Sequence, residues 1–407
     1  MWLSDLRIVL PNHVLEHGSI CIEDGIITEI IEGAAPAPGG VPSLHGLTAI
    51  PGIIDLHGDM LERDIEPRPG ARFPNELGLL ELDKRLAASG ITTAYAAISF
   101  AWKQDDIRSQ ETATSLINVI NDKRDGLLVD FKVHARFEVT NPLTAPVLTE
   151  LLQARKVDLV SIMDHTPGQG QYGDVDRYIN FVQTWIGVDL DVFEPGLQAR
   201  LVEQIKKSIN EQAQRTRDWE IVRDVARIAR EYGIPLASHD DDTIQKVFDQ
   251  AELGVSISEF PINLEAAQEA HRQQMWIIMG APNAYRKQST GNNLSALEAI
   301  KAGLVDILAT DYYPPAMLHA AFQIADEGIM PLHESVKLIS QNPADAMRLN
   351  DRGRIEVGRS ADLVLVEPGT HARVRATLRQ GAPIYWDAHM AKLSTAASLN
   401  KESYETL

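Results

Sequence analysis

The segment Ile53-Ile54-Asp55-Leu56-His57-Gly58-Asp59 ends an apolar run on a histidine and an aspartate two positions apart. On a β-strand such residues project to one face, so both side chains could grip a cation without first ordering a loop. Asp55 shares that face at greater depth, and Leu56 and Gly58 face away. A His-x-Asp pair by itself is common by chance. An isolated core histidine is also more often hydrogen-bonded than metallated. The pair gains meaning because other apolar segments end in the same way. Glu138 closes Phe131–Val139, His165 closes Leu159–His165, His239 lies in Pro235–Asp240, and Asp311 closes Asp306–Asp311.

Taken singly, each of these has an ordinary reading. His165 and His239 could be capped core histidines, Asp311 a turn acid before Tyr312, and Glu138 an ion-pair partner of Arg136 or Lys132. In Phe131–Val139, however, Lys132, His134, Arg136 and Glu138 alternate to one face. So many inward polar groups are costly unless paired or used. The metal ligands expected are His57, Asp59, Glu138, His165, His239 and Asp311. Nitrogen and oxygen donors together suit one or two zinc ions, or manganese, iron or nickel, and make calcium a poor fit. The chemistry would be a metal-activated water, deprotonated by Asp311, attacking an electrophilic centre. No Walker loop or Gly-x-Ser-x-Gly elbow competes, and the lone Cys21 lacks the partners of a nucleophile.

Such residues need a scaffold that gathers strand ends. The middle of the chain alternates short buried-strand patterns with helical ones. Eight strands are expected: Ile53–Asp59, Ile91–Ile98, Phe131–Val139, Leu159–His165, Pro235–Asp240, Val255–Pro261, Trp276–Pro282 and Asp306–Asp311. Eight β/α units close a TIM barrel, whose catalytic residues sit at the C-terminal strand ends. This α/β barrel would span residues 51–354, with an insertion at about 168–230 in which Gln198 to Tyr232 reads as long helix. Alternating apolar residues in 1–50 and again in 355–387, with an Asp24-Gly25 turn, predict one small β-sandwich domain built from both ends. Two separate edge hairpins are the alternative. Residues 388–407 form a polar tail.

The chain has 407 residues and a formal net charge of −19. That balance argues against nucleic acid and against an anionic membrane as partner. A small anionic substrate is compatible with it where metals and arginines reverse the charge locally; so is a homo-oligomer. One cysteine, no basic-then-apolar leader pattern and no span of about 20 apolar residues predict a cytoplasmic protein.

Several motifs resemble the amidohydrolase superfamily. They are Pro51-Gly52-Ile53-Ile54-Asp55-Leu56-His57-Gly58-Asp59 with Leu61-Glu62, Pro67-Arg68-Pro69-Gly70, and Ala88-Ser89-Gly90-Ile91-Thr92-Thr93. Met163 to Gln169, Ala237 to Asp241, Ser258 to Pro261, Met279 to Asn283 and Thr310 to Pro314 continue the series in order. Within the superfamily they are most similar to the branch that hydrolyses α-D-ribose 1-methylphosphonate 5-triphosphate in phosphonate breakdown. The resemblance implies attack of water on a phosphorus of the triphosphate, releasing pyrophosphate. For such a substrate the sequence offers Arg63, Arg68 and Arg72 after the first strand and Arg286 and Lys287 after Asn283, though solvated loop charge is their ordinary reading. Arg68, Arg136, Gln169, Asn283 and Arg286 are the substrate contacts expected. The resemblance also makes Glu138 stand in for the superfamily's carboxylated bridging lysine. Glu138, His165 and His239 fall one strand earlier than the superfamily's usual places, which leaves either an unrecognised strand or a modified barrel. Gly58, where the branch would carry threonine, implies a roomier first loop. A cyclic amide or other C–N bond as substrate, or a non-catalytic scaffold, are the competing readings.

Overall fold

Alternating apolar residues near the amino end form β1 (Trp2–Val9), β2 (Val14–Glu23), β3 (Ile26–Glu32) and β4 (Thr48–Pro51). Asp24 and Gly25 turn β2 into β3 with φ of 50° and 79°, the left-handed pair that a two-residue hairpin requires. The buried apolar runs that follow become β5 (Ile53–Gly58), β6 (Ile91–Phe100), β7 (Asp130–Glu138) and β8 (Leu159–Met163). Next come β9 (Leu236–His239), β10 (Ile257–Glu259), β11 (Trp276–Gly280) and β12 (Ile307–Ala309). Near the carboxyl end lie β13 (Leu363–Glu367), β14 (Arg373–Arg379) and β15 (Ala382–Trp386). This computed structural model describes residues 1–35, 43–68, 70–100, 107–166, 200, 203–204, 206–207, 211, 214–289 and 293–393.

Strands β5 to β12 pair in chain order in one eight-stranded sheet, and every pairing between them is parallel. The sheet closes into a TIM barrel where Gly58 bridges Asp311. Among the described residues the barrel has no further strand: Glu138 ends the third, His165 follows the fourth and His239 ends the fifth. Phe131, Val133, Ala135 and Phe137 of β7 pack outward, with the cluster that includes the helix residues Leu116 and Leu148. A second cluster, with Ile54, Leu56, Tyr95, Leu159, Ile257, Ile278 and Ile307, fills the barrel interior. Leu56 follows Ile54 at the period of two onto the inward face, against the expectation that it faces away from the barrel interior. The β5–β6 register slips between Asp55 and Gly58, and this irregularity lets His57 turn to the mouth as well.

The two ends of the chain share one seven-stranded sheet, ordered β15-β14-β13-β4-β1-β2-β3. Antiparallel pairing of β13 with β4, for example Leu365 opposite Ala49, joins them. Separate edge hairpins are therefore excluded. Ala49, Leu363 and Leu365 face this sheet's own core with Leu6, Ile8 and Ile20, whereas Ile50, Val364 and Val366 join the barrel's outer cluster. The period of two thus glues the sheet to the barrel. In the tail, Met390 is buried against the same core.

Gln198 to Tyr232 is not one long helix. Residues 215–218 are non-helical, and a helix starts at Trp219, with Asp218 accepting from the amides of Glu220 and Ile221. A side chain that caps those free N–H groups fixes a helix start. Most of the insertion lies outside the described residues, as does Gln169. Among the described residues no helix is long and apolar enough to cross a membrane.

Candidate metal centre

His57 reaches the barrel mouth from β5 and is almost wholly buried. Its Nδ1 lies 3.1 Å from Glu259 Oε1, and its Nε2 lies 3.5 Å from Asp59 Oδ1. Closure of the barrel fixes these groups relative to Asp311. The Asp59 amide donates to the Asp311 carbonyl at 2.8 Å, and the Asp311 amide donates to the His57 carbonyl at 2.9 Å. Beneath them the buried Asp55 accepts from the Thr310 amide at 3.0 Å and from its hydroxyl at 2.6 Å. The first and eighth strands thus carry their polar residues on one hydrogen-bonded frame.

Around this frame, His239 at the end of β9 has its ring 5.5 Å from that of His57 and 5.3 Å from that of His165. Two groups of side chains bring ligand atoms within 4.8 Å of one another: His57, His239 and Glu259, and His165, His239 and Asp240. His239 belongs to both. Glu138 does not lie between them as a bridge. Its Oε2 meets His165 Nδ1 at 2.8 Å and its Oε1 accepts the His165 amide at 3.1 Å, so the carboxylate is spent on holding His165 from behind. A carboxylate behind a ligating histidine fixes its tautomer and orientation.

Glu259 and Asp240 were absent from the ligands expected from sequence. The signal for Glu259 was present: β10 is a buried run ending on it. The expected strand runs on to Pro261, whereas β10 stops at Glu259. Asp240, Phe260 and Asp311 all have left-handed φ, at 53°, 55° and 54°. That conformation costs about 1–2 kcal/mol for a residue with a Cβ. Its recurrence at three strand ends of one mouth is the pattern of strain held at a working site.

The electrostatics favour a cation. Burial would strip the proton from His57, but Glu259 and Asp59 outweigh it and hold its pKa up to about 10. Burial and then the Asp59 charge push Asp311 up to about 6. Asp59 stays well below the usual range despite its burial, chiefly through Arg136. Burial drives His134 down to about 3. It is thus neutral, lying 3.1 Å from the Leu56 carbonyl and 2.7 Å from the Ser161 hydroxyl. Asp59, Asp240, Glu259 and Asp311 thus share the mouth with Arg136 and a protonated His57, while Arg108 acts on Asp59 and Lys246 on Asp240 from further off. Glu259 Oε2 is buried without a hydrogen-bond partner among the described residues, and the buried His239 Nδ1 and Asp240 Oδ2 meet each other at 3.1 Å. An unpaired carboxylate oxygen among clustered, buried carboxylates and imidazoles is what a divalent ion would satisfy.

Arg136 donates to Asp59 at 2.9 Å and approaches His239 Nε2 at 3.3 Å, so its guanidinium stands inside the cluster. Asn283 and Asp311 both flank Gly280. Arg286 is exposed and donates to the Tyr312 hydroxyl at 3.2 Å, just beyond Asp311. Arg68 lies outside the cluster, exposed on a turn where it bridges Ala71. Arg72 is committed to Thr112 and Lys287 to Glu327.

Gly58 does not loosen the first loop. A Cβ there would stand 2.8 Å from Asp55 Oδ2 and 2.8 Å from Met60 Cε. The methionine could move, but Asp55 is clamped by Thr310. Gly58→Ala is accordingly expected to lower stability by about 1–3 kcal/mol, read as the urea midpoint. An unchanged midpoint would show that Asp55 yields freely.

Residues 189–385 match the Amidohydrolase family. The chain is 34% identical over 392 residues to alpha-D-ribose 1-methylphosphonate 5-triphosphate diphosphatase of Escherichia coli (strain K12), covering 95% of this chain and 100% of that one. It is 23% identical to a dihydroorotase of Geobacter sp. (strain M21), over 91% and 90% of the two chains. Among solved structures, dihydropyrimidinase from Brevibacillus agri NCHU1002 superposes with a TM-score of 0.63 at 12% identity, covering 95% of each chain. That last likeness concerns the fold alone.

Proposed function

This chain belongs to the amidohydrolase family, and from that premise we propose that it hydrolyses the 5-triphosphate of a ribose 1-phosphonate and releases pyrophosphate. The observation that carries the reading is the 34% identity to the diphosphatase, which runs the whole length of that protein. The dihydroorotases are more distant, at 22–23%. The buried guanidinium of Arg136 supports the same choice, since a fork of N–H donors suits phosphate oxygens and a neutral cyclic amide has less use for one.

One or two divalent ions, zinc foremost, would be held chiefly by the two close groups, His57, His239 and Glu259 and His165, His239 and Asp240, with Asp59 and Asp311 at their edge. Bound there, such an ion acidifies water and polarises the oxygen of the group under attack. Asp311 supplies a carboxylate able to take a proton from the attacking water, because burial and Asp59 raise its pKa to about 6. Arg136 steadies the negative charge of the substrate. Asn283, with its buried Oδ1 unpaired among the described residues, orients the substrate beside Asp311. Glu138 keeps His165 in place.

The test is a pyrophosphate-release assay on ribose 1-methylphosphonate 5-triphosphate, run beside a panel of cyclic amides and ureides. Turnover of the triphosphate and none of the panel is expected. Amide cleavage without pyrophosphate release would replace this reading with C–N bond hydrolysis.

A further inference from the structure

Far from the mouth in sequence, β1 carries an irregularity with its own chemistry. Its pairing with β2 advances three residues on β1, from Leu3 to Leu6, against two on β2, from Ile20 to Gly18. The extra residue is a bulge, and Asp5 within it has φ of 58°. Bulges re-aim side chains, and this one turns the Asp5 carboxylate toward His17 and His45. Asp5 Oδ1 lies 3.7 Å from His17 Nδ1, and Oδ2 lies 3.9 Å from His45 Nδ1. The imidazoles stack with centroids 5.8 Å apart and planes only 5° from parallel, so both present the same edge to one carboxylate. The Ser43 hydroxyl donates to Asp5 Oδ2 at 2.7 Å and fixes its rotamer.

We propose that Asp5, His17 and His45 form a second divalent-cation site, separate from the barrel mouth, for an ion of the zinc, nickel or copper class. The ligand atoms of the three lie within 4.8 Å of one another. Tetrahedral zinc holds its donors about 3.4 Å apart, so the two Asp5 contacts need to close by only a few tenths of an ångström, and rotation of the exposed imidazoles supplies the rest. Two imidazoles and one carboxylate select borderline metals over calcium or magnesium. Both histidines are exposed, at 63% and 71% of their side-chain surface, which leaves room for water in the remaining position. The three ligands come from β1, β2 and the connection leading into β4. An ion there would pin that connection, and β4 runs directly into the strand that carries His57.

The test uses the full chain with its mouth loaded, comparing it with the double variant His17→Gln/His45→Gln. After dialysis against micromolar free zinc, elemental analysis is expected to find about one equivalent more zinc in the unaltered protein. Zinc should raise its melting temperature and not that of the variant, while turnover is the same in both. Equal zinc content in the two proteins overturns the proposal. So does a loss of zinc that removes turnover with it, because the ion lost would then be at the mouth.

Discussion

His239→Ala is expected to reduce turnover to background and to strip metal from both ligand groups at once, with the barrel still folded. The reason is position: His239 is the side chain common to the two groups, with the rings of His57 and His165 on either side of it. Removing it leaves Asp59, Asp240 and Glu259 facing each other across a mouth with one fewer nitrogen donor. A cation held by fewer ligands is lost first, and the chemistry goes with it. The fold should survive because the apolar interior lies beneath the mouth, with Ala237 of the same strand packed among Ile257, Ile278 and Ile307. Metal analysis and circular dichroism on the purified variant check both halves. A variant that keeps its full metal content would remove His239 from the ligand set. One that unfolds would make it structural.

The second large effect is Asp311→Asn, expected to lower kcat by about 10²–10⁴-fold, the range for a lost general base. Asparagine keeps the size of the side chain and tolerates the left-handed backbone at this position. It also keeps both main-chain hydrogen bonds to His57 and Asp59 that close the barrel. What disappears is the carboxylate charge and its capacity to hold a proton. KM and the urea midpoint should therefore move little. Since Asp311 lies outside both close ligand groups, the variant should retain metal that His239→Ala loses. A fall in kcat of less than about tenfold would assign the proton transfer to another group.

The elements that position the centre were legible because their signals are local. Buried β-rich runs between helical stretches, each stopped by a polar residue, gave eight strands, and Asp24-Gly25 gave the hairpin. The meeting of β4 with β13 was readable as two like textures at opposite ends of the chain. What stayed hidden depends on neighbours distant in sequence. His57 faces the barrel beside the inward Leu56 at a register slip against β6, which no periodicity in β5 announces. Gly58 promised space, yet that space is filled by Asp55, Met60 and Thr310, and Thr310 comes from the far end of the barrel. The role of Glu138 is set by where His165 folds back onto it, so a strand-end carboxylate looked like a bridge. Glu259 is the instructive omission. It obeyed the same rule as its neighbours and was masked by the proline two residues on.

Anomalous scattering at the metal edge from crystals of the loaded protein shows whether divalent metal sits at this mouth. The expected result is a peak ringed by His57, His239 and Glu259, or a pair of peaks sharing His239 with His165 on the far side. Ordered side chains at the mouth with no peak among them would contradict it.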